Sequence, residues 1–137
     1  MTLKEDHIEL SNDFFALAEE LLESDTYAKI ATSAELLLVS LDHLIDAHLS
    51  YIGPWRAGRK ERLEQFISDV LEDDTYLEQA EVRKHIRNLL VHTRYLRDAL
   101  LYARYGKVYK TEIAKKKVKE LMGDVKIYRA IIKNEVL

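Results

Sequence analysis

A single proline, Pro54, and four glycines, Gly53, Gly58, Gly106 and Gly123, are the strong backbone breakers in a chain of 137 residues. Gly and Pro interrupt regular structure most effectively, because one exposes a flexible backbone and the other removes a hydrogen-bond donor. A chain with so few of them turns rarely, so its elements must be long. Apolar residues spaced by three and four then select helix over strand. The fold class expected is all-α, an antiparallel bundle of four long helices plus one short one, in a single domain over residues 1–137.

The boundaries follow from local signals. Thr2 with Glu5 has capping-box spacing and opens a helix near residue 3. Its stripe is Phe14, Phe15, Leu17, Ala18, Leu21 and Leu22, and Ser24-Asp25-Thr26 ends it and caps the next. The second helix carries Ile30, Ala34, Leu37, Leu41, Leu44 and His48 at four-three spacing, widened by Leu38, Ile45, Leu49 and Ile52, until Gly53-Pro54. A shorter helix is predicted over 58–71, with Leu63, Phe66, Ile67 and Val70 inward. Thr75 with Glu78 opens a fourth helix running to about Tyr105, where Gly106 is a natural stop. The last begins near Thr111 on the seam Ala114, Val118, Leu121, Val125, Tyr128 and Ile132, with Gly123 a soft point midway. These apolar faces exceed what one small bundle must bury, which points to a dimer.

Composition removes several function classes. The absence of cysteine rules out disulfides, thiolate catalysis and cysteine-held metal. A net charge of −3 means that any contact with nucleic acid must use a local patch. The polar start MTLKEDHIEL does not read as a signal peptide, and no apolar run reaches the ~18 residues of a membrane span, so a cytoplasmic protein without membrane contact is expected.

The stretch HIRNLLVHTRY, 85–95, carries the chemistry. Nine arginines and five histidines meet an Arg…His spacing of this kind by accident about once, so position must carry the argument. The seam of the fourth helix is Val82, Ile86, Leu89, Thr93, Leu96, Leu100 and Ala103. At ~100° per residue, Arg87 and His92 then flank the opposite side, ~140° apart, with Asn88 and Val91 between them. A polar outer strip is what any bundle helix has. Val91, Tyr95 and Tyr102 put bulky apolar groups into this one, which suits a surface covered by a second copy. A neutral imidazole there can take a proton from an RNA 2′-hydroxyl, arginine can hold phosphate in bidentate fashion, and the Asn88 amide can orient either.

The helical organisation, with RNLLVH in the penultimate long helix, resembles the HEPN superfamily (higher eukaryote and prokaryote nucleotide-binding domains). Arg87, Asn88 and His92 match its Arg–polar–(spacer)–His motif position by position. The resemblance covers the whole chain as architecture and six residues as motif. It implies a homodimer with a composite site at the two-fold axis and metal-independent, cofactor-free cleavage of RNA through a 2′,3′-cyclic phosphate. It also implies a toxin-like role beside a nucleotidyltransferase-type antitoxin. Some members are inactive and serve as adaptors that bind nucleotide or a partner, so that reading stays beside the enzymatic one. One subgroup has tyrosine two residues after the histidine; here Thr93 and Arg94 intervene before Tyr95.

Two further features have two readings each. Tyr95, Tyr102 and Tyr109 recur every seven residues among Arg94, Arg97 and Arg104, and either stack bases and hold phosphates or fill an interface. Asp42, His43, Asp46 and His48 crowd the second helix and invite a metal reading, but no Glu-x-x-His pair completes a di-iron-type set. A solvated face, or a supporting role for Asp42 and Asp46 near the site, is favoured, with His48 in the core. Trp55-Arg56-Ala57-Gly58-Arg59-Lys60 and Lys115-Lys116-Lys117 are further basic spots, and a charge run such as the latter is usually a solvated face.

Overall fold

The computed structural model describes residues 3–52, 80–104 and 109–136, which form four helices and, among the described residues, no strand. They are α1 (Leu3–Leu22), α2 (Tyr27–Ile52), α3 (Ala80–Tyr102) and α4 (Thr111–Val136). The helix predicted over 58–71, the Gly53-Pro54 and Gly106 stops, both capping boxes and the Trp55–Lys60 turn lie outside the described residues, wholly or in part.

Where the ends are described, the polar signals act as expected. The last turn of α1 closes with short-range bonds from the Glu23 and Ser24 amides to Glu20 and Leu21. Ser24 Oγ then accepts from the Thr26 amide at 3.0 Å, and the Thr26 carbonyl receives the Lys29 and Ile30 amides that start α2. The far end of α3 departs from expectation. It finishes at Tyr102 rather than near Tyr105, because Ala103 adopts φ 49°, the left-handed conformation that closes many helices. Ala103, placed on the seam by its spacing, is therefore exposed.

Helices α1 and α2, α2 and α3, and α1 and α4 pair antiparallel, so α2 and α4, which also touch, run in the same direction. Ser11 meets Ser40 between α1 and α2, Arg97 meets Glu35 between α2 and α3, and Lys126 meets Glu19 between α1 and α4. The central element is α2, which touches the other three. That position explains why it is apolar nearly all round, with Ile30, Leu37, Leu41, Leu44 and Ile45 buried from different sides. Leu89, Leu96 and Leu100 of α3 and Ala114, Val118, Leu121, Val125 and Tyr128 of α4 join the core, as their seams predict. Leu17, expected inward, is exposed. Gly123 sits in open space within a continuous α4.

Polar groups inside the bundle are tied locally. Thr93, on the α3 seam, returns its hydroxyl to the Leu89 carbonyl at 2.6 Å, which lets a polar residue sit in an apolar row. Burial lowers the pKa of the Arg129 guanidinium, partly opposed by Glu19, and the group lies over the Phe15 ring at 4.2 Å.

Candidate functional site on the outer face of α3

Arg87, Asn88 and His92 are all exposed on α3, and Val91 between them is 50% exposed and Tyr95 37%. The buried side of the same helix is wide. Leu90 and Ala99, off the predicted seam, are buried beside Leu89, Thr93, Leu96 and Leu100. The outer strip is thus a narrow solvent-facing band, and its polar members stand where helix geometry put them.

Within one chain the strip does not close into a single site. His92 and Tyr95 line an open groove of about 310 Å³ against α4, shared with Leu96, Tyr109, Lys117 and Glu120. Asp124 also lines this groove, whereas Arg87 does not. The physical reason is angular: α4 packs on the flank of α3 that carries Leu96 and His92, and Arg87 points away around the other side. The groove holds one cation, Lys117, against two carboxylates.

The other residues singled out by sequence divide. Arg94 is half-buried beside this strip. Arg97, read as a possible phosphate contact, is occupied. It donates to Glu35 at 2.9 Å and lies 2.6 Å from Asp98. Burial of that guanidinium works against its charge, but Glu35 and Asp98 outweigh it and hold the group above its usual value. Arg104 pairs loosely with Asp98 at 3.7 Å and lies over the Tyr102 ring. The seven-residue tyrosine row is broken at Ala103, so Tyr109 belongs to the α4 side, under Lys117 at 5.5 Å. Tyr102 alone of the later pair is strongly exposed, at 57%. Of the lysine run, Lys116 and Lys117 are exposed, as a solvated face should be, while Lys115 reaches Asp25 at 3.5 Å.

The acidic side of α2 corrects the sequence reading. Asp42, His43 and Asp46 are 3%, 6% and 4% exposed, so they are not a solvated face. They are buried because α1 covers them. His7, unnoticed in the sequence, brings its Nδ1 within 3.0 Å of His43 Nδ1 and 3.9 Å of Asp46 Oδ2. The Phe14 ring stacks on His43, centroids 5.7 Å apart and nearly parallel. Spacing along one helix says nothing about a histidine thirty-six residues away; only the antiparallel α1–α2 pairing brings them together. The His48 side chain lies outside the described residues.

Comparison with protein-family models, with curated proteins and with solved structures finds no match for this chain. No helix among the described residues is long and apolar enough to cross a membrane.

Proposed function

We propose that the chain is a HEPN-like, metal-independent endoribonuclease of the toxin type, acting as a homodimer. Arg87, Asn88 and His92 of both copies would surround one groove. The supporting observation is the exposure of these three side chains around Val91 and Tyr95 on one helical strip. Bulky apolar groups flanked by polar ones suit a self-complementary interface. Pairing two strips also answers the angular problem, since the Arg87 of one copy can approach the His92 of the other.

In that arrangement a neutral His92 removes the 2′-hydroxyl proton, and the oxygen attacks phosphorus in line. Arg87 holds the phosphate and stabilises the added charge of the five-coordinate state. Asn88 orients one or the other. The 5′-oxygen leaves with a proton, which the second His92 supplies. RNA is the substrate class, and a nucleotidyltransferase-type antitoxin is the partner that the same resemblance implies.

The test is cleavage of mixed RNA by purified chain in EDTA, with the ends analysed. Products ending in 2′,3′-cyclic phosphate and lost with His92→Ala support the reading. Intact RNA, or equal cleavage by His92→Ala, overturns it. One observation favours the alternative, a non-catalytic adaptor binding nucleotide or a protein partner: Glu120 and Asp124 share the groove with His92 and repel phosphate. Retention of a protein partner by chain that is inert toward RNA would select it.

A further inference from the structure

The cluster on the α1–α2 seam has the composition of a metal site. His7, His43 and Asp46 each offer one ligand atom, a ring nitrogen or a carboxylate oxygen, and these atoms all lie within 4.8 Å of one another. Two imidazoles and one carboxylate form a three-ligand set that leaves coordination positions open. We propose that His7, His43 and Asp46 bind one divalent first-row transition ion, of the zinc type, which clips the N-terminal end of α1 to α2.

Four observations converge on this. The two Nδ1 atoms face each other at 3.0 Å. A tetrahedral ion with metal–nitrogen bonds of about 2.0–2.1 Å holds its ligand atoms about 3.3–3.4 Å apart, so binding requires adjustments on the order of an ångström. The ligands are pre-positioned: Phe14 stacks on His43, and the Ser11–Ser40 pair fixes the helix spacing about one turn from His7. Charge also fits, since Asp42 and Asp46 are buried one turn apart on the same face of α2, which gives a cation two carboxylates in one neighbourhood. Finally, the His7 side chain keeps 20% exposure while that of Asp46 keeps 5%, which gives the ion a way in and a covered seat. Imidazole ligands select against calcium and magnesium, which prefer all-oxygen shells.

The site lies on the α1–α2 seam and the nuclease strip on the outer face of α3, so zinc binding is read without RNA and stands or falls separately from the proposed activity. The experiment strips the full chain with EDTA, exchanges it into metal-free buffer and titrates zinc by calorimetry, with elemental analysis of the isolated protein. One zinc per chain is expected, with a raised thermal midpoint and visible absorption bands on cobalt substitution. His7→Ala and Asp46→Asn each lower the zinc affinity by more than the roughly 10–100-fold that loss of an outer-shell partner causes. His7 is the least buried ligand and Asn is isosteric with Asp, so these variants fold; His92→Ala keeps the zinc and controls for casual histidine binding. Chain that takes up no zinc, or His7→Ala that binds it as well as the parent, overturns the proposal. So does a midpoint that ignores zinc and rises only on acidification through the histidine range, which assigns the pair to a shared proton.

Discussion

Two polar strips of this bundle each carry histidine, and they are built in opposite ways. On the α1–α2 seam, Ser11 and Ser40 exchange hydrogen bonds, each hydroxyl donating to the other's backbone carbonyl at 2.9 and 2.8 Å, and His7 meets His43 one turn on. On the outer face of α3, Arg87, Asn88 and His92 are exposed and fan around the helix. The inner strip is specified by the fold of one chain. The outer strip is placed by one helix, and in the proposed dimer a second copy would bring its members together. Polar groups that a fold already uses should respond to mutation through stability, and groups held ready for a partner should respond through activity.

The largest effect expected is on the outer strip. If His92 is general base or acid, His92→Ala lowers RNA cleavage about 10²–10⁴-fold, the contribution typical of such a group. Thermal stability should stay within about 0.5 kcal/mol, because the side chain is a surface one. Parallel rate and melting measurements check both halves. A large loss of stability with His92→Ala would erase the distinction between the strips.

Next comes the apolar wall behind the inner strip. Leu44 is fully buried on α2 between His43 and Ile45. Leu44→Ala should cost about 2–5 kcal/mol through lost burial and a residual cavity, read by denaturant unfolding. A value near zero would mean that the seam around His43 is loosely packed and does not set its geometry.

The serine pair gives a finer test. Two hydroxyls that reach each other's backbone require the helices to lie close. Ser11→Val should therefore cost about 1–3 kcal/mol by overpacking, and Ser11→Ala only about 0.5–1.5 kcal/mol for a hydrogen bond. Asn88→Val, a comparable change on the outer strip, should stay within about 0.5 kcal/mol in the isolated chain. Equal costs at Ser11 and Asn88 would break the comparison.

This contrast also explains what was legible in the sequence. The helices that periodicity and capping residues define, α1, α2 and α4, fall where predicted, because those signals are local and act within a few residues. The C-terminal end of α3 was misplaced because Ala103 takes a left-handed φ that alanine does not advertise. The outer strip was equally legible, since exposure on one helix follows from angle alone. The inner cluster was not. Asp42 and Asp46 read as solvent-facing because carboxylates usually are, and their burial depends on α1 covering them with His7. Long-range pairing leaves no period in a single sequence.

The smallest effect expected lies where α3 ends. Leu100 is among the last four residues of that helix, whose carbonyls lack an intrahelical donor, and the Tyr27 hydroxyl donates to its oxygen at 2.8 Å. Tyr27→Phe should cost about 0.5–1.5 kcal/mol and loosen the final turn. It carries a pH signature as well. Burial raises the Tyr27 pKa above its ordinary 10.0, so the folded state holds the phenol proton more tightly than the unfolded chain does. That stability is complete below the unfolded value and is lost as pH rises through the folded one. Thermal unfolding followed from pH 8 into the alkaline range should therefore show a decline in the parent that Tyr27→Phe lacks. Because Tyr27 sits at the start of α2 and far from Arg87 along α3, RNA cleavage at neutral pH should be unchanged. A variant that instead loses activity in step with stability would show that the outer strip depends on the inner packing of α3 and is not an independent surface.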